Sequence, residues 1–499
     1  MEMQLVPEFT MELELIRKNG ITKELLYDII QKHTGCADYN KNLYKRYMAI
    51  HEGVPIHTRQ PKYEEEEPIN NKINIDHFGE IVDFKVGYFA GEPISYSYND
   101  TEEAEEVTGG EKAVDGVIKA LTDFLTRNNM HGVDMEITKN ASIYGYSGRL
   151  FFVKDSELRV KAIHGFETII LSDVDISEPE YAIRYYRSLD VKNMENWTVE
   201  FYDNRYVTIF KGNSLNSLEQ EGEPREHLFD YCPLQGIANN AEKLGDAEKV
   251  IEAIDDYDRV MSDNSNEIEA FANALLLVNL NIDEEVITKA QKSGSLIIPP
   301  VGTNQNNEPV KWLTKNINDS FAQNHLERLE SDIYSTTNTP NLKDATFGES
   351  SGEALRFKLH GLETKCSKFE ACNKNSAQFM WKIICSFWKR QGINADPLQF
   401  SMEFRRNFPL ELLKEAQTVQ TLIAAGLPKR YAFSKISDID DIDYIMDLIK
   451  TEKEEVAEMY PNFTPPNKND DDEDENNNNN NPDIDDIDEE EEIETNTKK

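Results

Sequence analysis

The chain has 499 residues, of which 39% are hydrophobic, and a formal net charge of −40. This length predicts two to four domains with packed cores, and the charge argues against a protein that grips DNA phosphates through lysine and arginine. No apolar run approaches the roughly 18 residues that a membrane span needs, and the acidic N-terminus differs from a basic signal peptide. We therefore expect a cytoplasmic protein without membrane contact.

The first 125 residues predict a helical lead-in. Apolar residues recur at helical spacing up to residue 60, with Gly20, Gly35 and Gly53 as natural helix ends. Two further amphipathic helices are predicted, one over Ile73 to Phe89 and one over Val114 to Leu125.

Residues Ile143 to Phe210 follow a different pattern, in which apolar and polar residues alternate and β-branched and aromatic residues are frequent. This pattern predicts strands, and Asp203 with Asn204 suits a hairpin turn between two of them. Helices followed by strands, without steady alternation of the two, predict an α+β domain. We place this domain at residues 1–245.

A long helix is predicted over residues 246–278, where apolar residues recur at threes and fours. About 30 residues at 1.5 Å per residue would span roughly 45 Å. The apolar stripe includes Ile254, Val260, Phe271 and Leu275. A lone helix of this kind is poorly supported, so neighbouring copies in a ring would bury the stripe. The opposite face is acidic, through Glu252, Asp255, Asp256, Asp258, Asp263 and Glu267.

Residues 279–315 form a compact insert after this helix. One strand is predicted at Ser295 to Ile298 and a second around Val310 to Leu313, with Pro299 and Pro300 as the break after the first. We therefore expect a small unit between two long helices.

A breaker-rich loop separates the next two helices. Apolar spacing predicts a helix over 316–335 and, within 353–407, a long helix that a strand follows. Residues 336–352 contain proline, glycine and several Thr, Asn and Asp residues, so they cannot extend either helix. Ser350, three residues before Glu353, has capping-box spacing and predicts the start of the long helix.

The C-terminal part is predicted to contain a strand, then a helical unit, then a disordered segment. Alternation over Leu398 to Phe404 predicts the strand, and residues 408–460 predict a helical unit that Pro409 opens. Residues 461–499 are expected to be disordered, because an asparagine run and acidic residues leave too little apolar content to fold. Fifteen acidic residues and two lysines lie in 470–499, so the rest of the chain still carries −27 of the net charge of −40.

Two stretches of this sequence resemble a known family. Asn316 to Glu363 contains NINDSFAQNHLERLESDIY before the loop and FGESSGEALRFKLHGLE after it. It resembles the portal proteins of tailed bacteriophages, in the group typical of long flexible tails, which carry DINRL-like text and FG-x-x-SG-x-AL text at these places. Ile69 to Ile94, INNKINIDHFGEIVDFKVGYFAGEPI, is similar to a second block of that family, in the same order and at about the same spacing.

The resemblance implies a portal fold, with helical stem, small α/β clip, mixed wing and helical crown, that assembles as a ring, by analogy a dodecamer. The implied parts are the wing (1–245), the stem helices (246–278 and 316–335), the clip (279–315), the DNA-channel loop (336–352), the long kinked helix with the wing return strand (353–407) and the crown (408–460). The implied channel-loop residues are Lys343, Phe347, Gly348, Glu349, Ser350, Ser351 and Gly352, and those of stem assembly are Ile254, Val260, Phe271 and Leu275.

The same resemblance implies a function. Portal proteins form the channel at one capsid vertex through which double-stranded DNA is packaged and later ejected, without catalysis and without a cofactor. The implied partners are other copies of the chain, the large terminase subunit, a head-completion or adaptor protein, the major capsid and scaffolding proteins, and the DNA itself. The protein would reside in the virion after assembly in the host bacterial cytoplasm.

The acidic body of the chain has two interpretations. A channel wall of like charge repels phosphates and leaves no deep wells along the path of the DNA. An acidic surface also simply gives solubility. Composition alone does not separate these two interpretations.

A metal-dependent phage nuclease is the alternative from another class of function. The candidate ligands are His325, Glu327 and Glu330 on one helix and Asp255, Asp256 and Asp258 on another. Both sets lie on predicted helices with polar faces, which favours a solvated face over a metal site. No Gly-Lys dipeptide occurs in the chain, so a phosphate-binding P-loop is excluded.

The cysteines do not predict a disulfide framework or a zinc site, because they are odd in number and scattered. They are Cys36, Cys232, Cys366, Cys372 and Cys385. We expect buried free thiols, in line with the burial preference of cysteine.

Overall fold

The computed structural model describes residues 6–61, 69–99, 111–189, 195–272, 275–278, 310–313, 319–341, 352–407 and 412–436, with a few positions between 442 and 451. The chain divides into two compact units, Met1–Pro409 and Leu410–Lys499. The larger unit combines helices with antiparallel sheets, which confirms the predicted α+β class.

The helices of the larger unit lie before and between its strands along the sequence. They are α1 (Thr10–Asn19), α2 (Lys23–Tyr47), α3 (His77–Ala90), α4 (Glu111–Arg127), α5 (Met130–Tyr144), α6 (Ile251–Ala272), α7 (Asp319–Thr337) and α8 (Gly352–Arg390). The smaller unit contains α9 (Leu412–Ala424) and α10 (Lys429–Phe433). Among the described residues, each helix is too short or too polar to span a membrane.

The strands of the described residues form four antiparallel sheets. They are β1 (Ser95–Tyr98), β2 (Tyr146–Lys154), β3 (Glu157–His164), β4 (Thr168–Leu171), β5 (Tyr181–Leu189), β6 (Glu195–Tyr202), β7 (Tyr206–Gly212), β8 (Glu219–Gln220), β9 (Arg225–Glu226), β10 (Leu234–Ala238), β11 (Leu275–Val278), β12 (Val310–Leu313) and β13 (Phe400–Glu403). The largest sheet has the order β4-β5-β6-β7-β8, with β9 also on β7, and a second has the order β10-β2-β3. The remaining pairs are β1 with β13 and β11 with β12.

The predicted hairpin turn at Asp203 is confirmed. β6 and β7 pair across it, and the Asp203 N–H donates to the Tyr206 carbonyl at 3.0 Å. The Asp203 carboxylate accepts hydrogen bonds from the backbone N–H groups of Arg205 and Tyr206 at 2.6 and 2.5 Å. A short acidic side chain therefore satisfies the turn backbone, as the sequence indicated.

Two helix boundaries near the N-terminus differ from the prediction. α2 continues through Gly35, because its apolar face is buried on both sides of that residue and this packing offsets a glycine cost of about 1 kcal/mol. α3 begins at His77, not at Ile73, because Asp76 caps it and accepts a hydrogen bond from the Gly79 N–H at 2.9 Å. The residues before Asp76 are extended and have partners elsewhere.

The long helix α8 supplies much of the core. Most of its predicted apolar face is buried, namely Leu359, Leu362, Cys366, Phe369, Ile383, Ile384 and Phe387. The side chain of Leu355 lies outside the described residues. Trp381 of α8 stacks on Phe400 of β13 with ring centroids 4.2 Å apart, so the return strand packs on the helix that precedes it.

Burial of the cysteines is confirmed for four positions. Cys36, Cys232, Cys366 and Cys385 are buried, and Cys372 is half-buried. Burial raises the pKa of the Cys232 thiol to about 12. A thiol with so high a pKa is protonated at neutral pH and is therefore a poor nucleophile.

Helix α2 packs on the largest sheet, with Leu26 and Ile30 in one cluster with Ile183 of β5. His33 lies at this contact, where its ring nitrogens are 2.9 Å from the Tyr185 hydroxyl and 3.1 Å from the Tyr146 hydroxyl. The ring is fully buried, and burial lowers the pKa of His33 to about 4. A neutral histidine thus joins α2 to both of the larger sheets.

Because His33 is buried in its neutral form, we predict that the folded protein loses stability in acid. The unfolded chain binds a proton near pH 6.5 and the folded chain only near pH 4, so stability falls between these values as the pH falls. The shift corresponds to roughly 3 kcal/mol. We expect His33→Gln to flatten the dependence of the unfolding midpoint on pH in this window. An unchanged pH dependence in the variant would contradict this assignment.

Candidate functional site

Helices α6 and α7 pack against each other and against the body of the larger unit. Ile254 and Tyr257 of α6 share a buried cluster with Leu326 and Ile333 of α7. The predicted second stem helix over 316–335 is observed as α7, from Asp319 to Thr337. The two predicted stem helices are therefore neighbours within one chain.

The apolar stripe of α6 changes environment along the helix. Ile254, Met261 and Ile268 lie at heptad spacing and so on one face. Ile254 is 1% exposed and Met261 packs on the same cluster, whereas Ile268 is 68% exposed. The stripe therefore continues beyond the part of the helix that its own chain covers.

Two predicted assembly residues need correction on this evidence. Ile254 is covered by its own chain, because α3 and α7 fill the space in which a neighbouring copy was expected. Val260 also packs on that cluster and is only partly exposed. Phe271 belongs to the last turn of α6, and its side chain lies outside the described residues.

The predicted helix over 246–278 is too long at its C-terminal end. α6 ends at Ala272, and Leu275 lies in β11, opposite Leu313 of β12. The reason is local, because the run LLLV is continuously apolar, lacks a helical period and suits a strand. Leu275 therefore does not extend the helical stripe. β12 confirms the strand predicted at Val310 to Leu313, and the strand predicted at Ser295 to Ile298 lies outside the described residues.

An extended segment, residues 71–75, lies along α6 and is here named the strap. The backbone N–H groups of alternate strap residues donate to side chains one helical turn apart. The pairs are Ile75 to Asp258 Oδ1 at 2.9 Å, Ile73 to Ser262 Oγ at 2.9 Å and Asn71 to Asn266 Oδ1 at 2.7 Å. Two extended residues advance about 6.6 Å and four helical residues about 6.0 Å, so the two periods nearly match.

The sequence predicted a solvated acidic face for α6. The structure shows instead that part of this face is buried or paired. Asp258 is 1% exposed, and burial raises its pKa to about 6. Asp255 pairs with Arg46 of α2 at 2.5 Å, and Asp263 pairs with Arg59. The sequence did carry a signal for the strap, in polar residues at i, i+4 and i+8 on α6, but that spacing alone does not identify their partner.

The predicted channel loop begins at a close contact between two helices. α7 ends at Thr337, and Asn338 has a left-handed backbone with φ of +52°. Gly361 of α8 lies directly against it, since a Cβ there would stand 2.9 Å from Asn338 Oδ1. The glycine therefore permits the close approach of α8 to the start of the loop.

The predicted loop residues are mostly beyond what the structure describes. Lys343, Phe347, Gly348, Glu349, Ser350 and Ser351 lie outside the described residues. Gly352 is the first residue of α8, so the helix starts two residues after the predicted Ser350.

Comparison with known sequences identifies the family. The sequence model described as "Phage portal protein, SPP1 Gp6-like" matches residues 27–459. The chain belongs to this phage portal protein family. A portal protein of Clostridium phage phiCD119 is 26% identical to it over 443 residues, covering 85% of this chain and 94% of the relative. The resemblance drawn from the loop sequence is thereby confirmed, and the protein has the role of a portal protein, a component of the phage capsid.

The structure brings His325 and Asp256 of the two candidate nuclease sets together, whereas Glu327 and Glu330 have other partners. His325 Nε2 lies 3.3 Å from Asp256 Oδ2, Gln323 donates to Glu327 at 2.9 Å, and Asn341 donates to Glu330 at 3.2 Å. Within the described ranges, no three His, Cys, Asp or Glu side chains form a group that could hold a metal ion. Neither the family nor the relative supports the nuclease alternative.

From the contacts of the strap we predict that removing one of its acceptors on α6 destabilises the portal subunit. Ser262→Ala removes the acceptor of the Ile73 N–H, and a part-buried donor without its acceptor costs about 1–3 kcal/mol. Denaturant unfolding should show this loss. Ser265→Ala is the matched control, because Ser265 lies on the same helix outside the strap contacts and should change stability by less than about 0.5 kcal/mol. Equal effects of the two substitutions would contradict the strap assignment.

Proposed function

We propose that copies of this chain form a ring, by family analogy a dodecamer, at one vertex of the capsid. Double-stranded DNA passes through the ring during packaging, which the large terminase subunit drives, and again during ejection. The ring also binds the head-completion or adaptor protein, the major capsid protein and the scaffolding protein. Assembly takes place in the cytoplasm of the bacterial host.

The described elements suit the parts of a portal subunit. In this proposal the wing comprises α1 to α5 and the sheets up to β10, α6 and α7 are the stem, and β11 with β12 is the described part of the clip. α8 is the long helix after the channel loop, β13 is the wing return strand and α9 with α10 belongs to the crown. The pairing of β13 with β1 supports the return strand, because it joins the chain after α8 to the wing.

The observation that carries the ring proposal is the exposed end of the α6 stripe. Ile268 is 68% exposed although it continues a heptad whose earlier members are buried. Phe321, at the start of the neighbouring helix α7, is 72% exposed as well. Adjacent copies of the stem would cover both side chains. This proposal moves the assembly contact from Ile254 towards Ile268 and Phe271.

Ring formation should be sensitive to charge at this position. We expect Ile268→Asp to prevent rings, because an unpaired carboxylate buried between subunits costs on the order of 3 kcal/mol or more per contact. The isolated subunit should remain folded, since Ile268 is exposed in it. Negative-stain images and size-exclusion chromatography test this expectation.

A matched control is available in the same unit. Leu398 is 81% exposed and lies in the turn before β13, so Leu398→Asp should leave rings intact. Normal rings from Ile268→Asp, or loss of rings from both variants, would contradict the stem contact.

The channel loop is the second part of the proposal. Residues 336–352 would project towards the DNA, with Phe347 as an apolar tip and Gly348 as a point of movement. Glu349 adds negative charge, and Lys343 offers one weak, salt-sensitive phosphate contact per subunit. Such a loop touches DNA without holding it.

DNA packaging should therefore depend on the loop while ring assembly does not. We expect Phe347→Lys, which adds a phosphate contact in each subunit, and Gly348→Pro, which restricts the loop, to reduce the DNA packaged per capsid. In-vitro packaging with purified terminase measures this yield. Leu398→Lys provides the same change of charge away from the loop and should package normally. Wild-type yields from both loop variants would refute the channel-loop assignment.

A further inference from the structure

A polar cavity of about 170 Å³ lies where the end of α7, the middle of α8 and the segment before α6 meet. On α8 it is lined by Gly361, Thr364, Lys365 and Lys368, at i, i+3, i+4 and i+7, which is one face of the helix. Lys249 lines it from the turn that leads into α6. Three lysines therefore surround one small cavity in a chain of net charge −40.

The charges around this cavity do not cancel. Asp246 also lines it, and its carboxylate faces two ammonium groups, with Lys85 Nζ at 3.0 Å and Lys365 Nζ at 3.4 Å. Glu242, at the exposed rim, is the second carboxylate of the lining. Four lysines counting Lys85 thus face two carboxylates, and two positive charges are left over.

The ammonium groups are also short of hydrogen-bond acceptors. Lys365 Nζ is buried, and no protein atom of the described residues accepts a hydrogen bond from it. Lys249 and Lys368 are exposed, and neither forms an ion pair or a hydrogen bond with another described residue. A buried donor that lacks an acceptor is costly, so a ligand that accepts from it gains affinity.

Two hydroxyl groups of the lining are already used. Thr364 Oγ1 donates to the His360 carbonyl at 3.0 Å, and Thr337 Oγ1 donates to the Ile333 carbonyl at 2.9 Å. The positively charged donors of the lining are the three lysines. Lysine binds phosphate as a point charge and does not require a fixed planar geometry.

We propose that this cavity is a phosphate-binding site, in which Lys249, Lys365 and Lys368 bind a phosphate dianion. A terminal phosphate monoester carries about −1.5 to −2 charge at neutral pH. Free phosphate exists there as a mixture of monoanion and dianion, and the dianion matches the excess, whereas a carboxylate carries only one negative charge. Ligand pockets for drug-sized molecules are usually 300 to 1,000 Å³. A cavity of about 170 Å³ suits a single phosphate group without an attached nucleoside inside the cavity.

A phosphate at this position would join three segments of the subunit. It would bridge α8 to the turn before α6, beside the helix end at Thr337 from which the channel loop leaves. The bound anion would therefore stabilise the base of the loop. This proposal does not rest on ring formation, since every lining residue belongs to one chain.

Equilibrium dialysis of the full-length protein with labelled inorganic phosphate tests the site. We expect saturable binding of one phosphate per subunit, weakened on the order of a hundredfold by the double substitution Lys249→Gln and Lys368→Gln, because the two removed ammonium contacts are worth about 1.5 kcal/mol each. Both lysines are exposed, so the variant should fold normally, which thermal unfolding checks. The matched control replaces the exposed Lys18 and Lys23 by Gln and should bind phosphate as the unmodified protein does.

Competing ligands identify the source of the phosphate. Displacement by a DNA duplex with 5′-phosphates, but not by the same duplex without them, would assign the site to DNA ends. Displacement by neither duplex would assign it to free phosphate. Equal affinity of the double variant and the control, or stronger displacement by polyglutamate than by phosphate, would overturn the proposal. Ring images of the same samples test assembly separately, so failure of one proposal leaves the other intact.

Discussion

The buried carboxylate of Asp246 holds the larger unit together. It receives Lys85 from α3 and Lys365 from α8, and the Lys85 ammonium also donates to Asn239 Oδ1 at 2.5 Å and lies 4.7 Å from the centre of the Phe369 ring. Burial by itself would raise the pKa of Asp246, but the charges of Lys85 and Lys365 and the hydrogen bonds from Lys85 and Asn239 lower it below its ordinary value. Loss of one partner from such a buried group costs about 3–5 kcal/mol, because the remaining charge is left uncompensated. Asp246 lies just before the turn into α6, so the same interaction holds the chain where this helix starts.

From that start, α6 is held by polar contacts as well as by its apolar face. Three backbone N–H groups of the strap donate hydrogen bonds to α6 side chains on successive turns. Arg46 and Arg59 form ion pairs with two further carboxylates of the helix. The backbone contacts of the strap end at Asn266, and the Asn71 side chain donates to Glu269 Oε2 at 2.7 Å. Between these two contacts, the next member of the heptad, Ile268, is exposed. The helix thus leaves the body of the subunit with its orientation set and its apolar stripe incomplete. A subunit built in this way is suited to completing its stem against another copy.

The negative charge of the chain has to be considered by location. Part of it lies in residues 470–499, and part of the acidic face of α6 is neutralised within the chain by Arg46 and Arg59. The acidic residues predicted from α6 therefore contribute less to a repulsive channel wall than their number implies. Positive charge is locally in excess around Lys249, Lys365 and Lys368. Net charge by itself consequently describes neither the wall of a channel nor the anion sites of a portal subunit.

The sequence by itself determined the α+β class, the family, the hairpin at Asp203, the breaker-rich loop between α7 and α8, and most of the buried face of α8. Each of these depends on local information, such as the period of apolar residues, turn chemistry or a short motif. Only the tertiary structure decided that Ile254 is buried within its own chain, that Leu275 leaves the helix for a strand, and that residues 71–75 are extended. These outcomes depend on partners distant in sequence: α3 and α7 cover Ile254, β12 pairs with Leu275, and α6 provides the acceptors for the strap. A periodic pattern shows that a face will be covered, but what covers it is set by the packing of the whole chain.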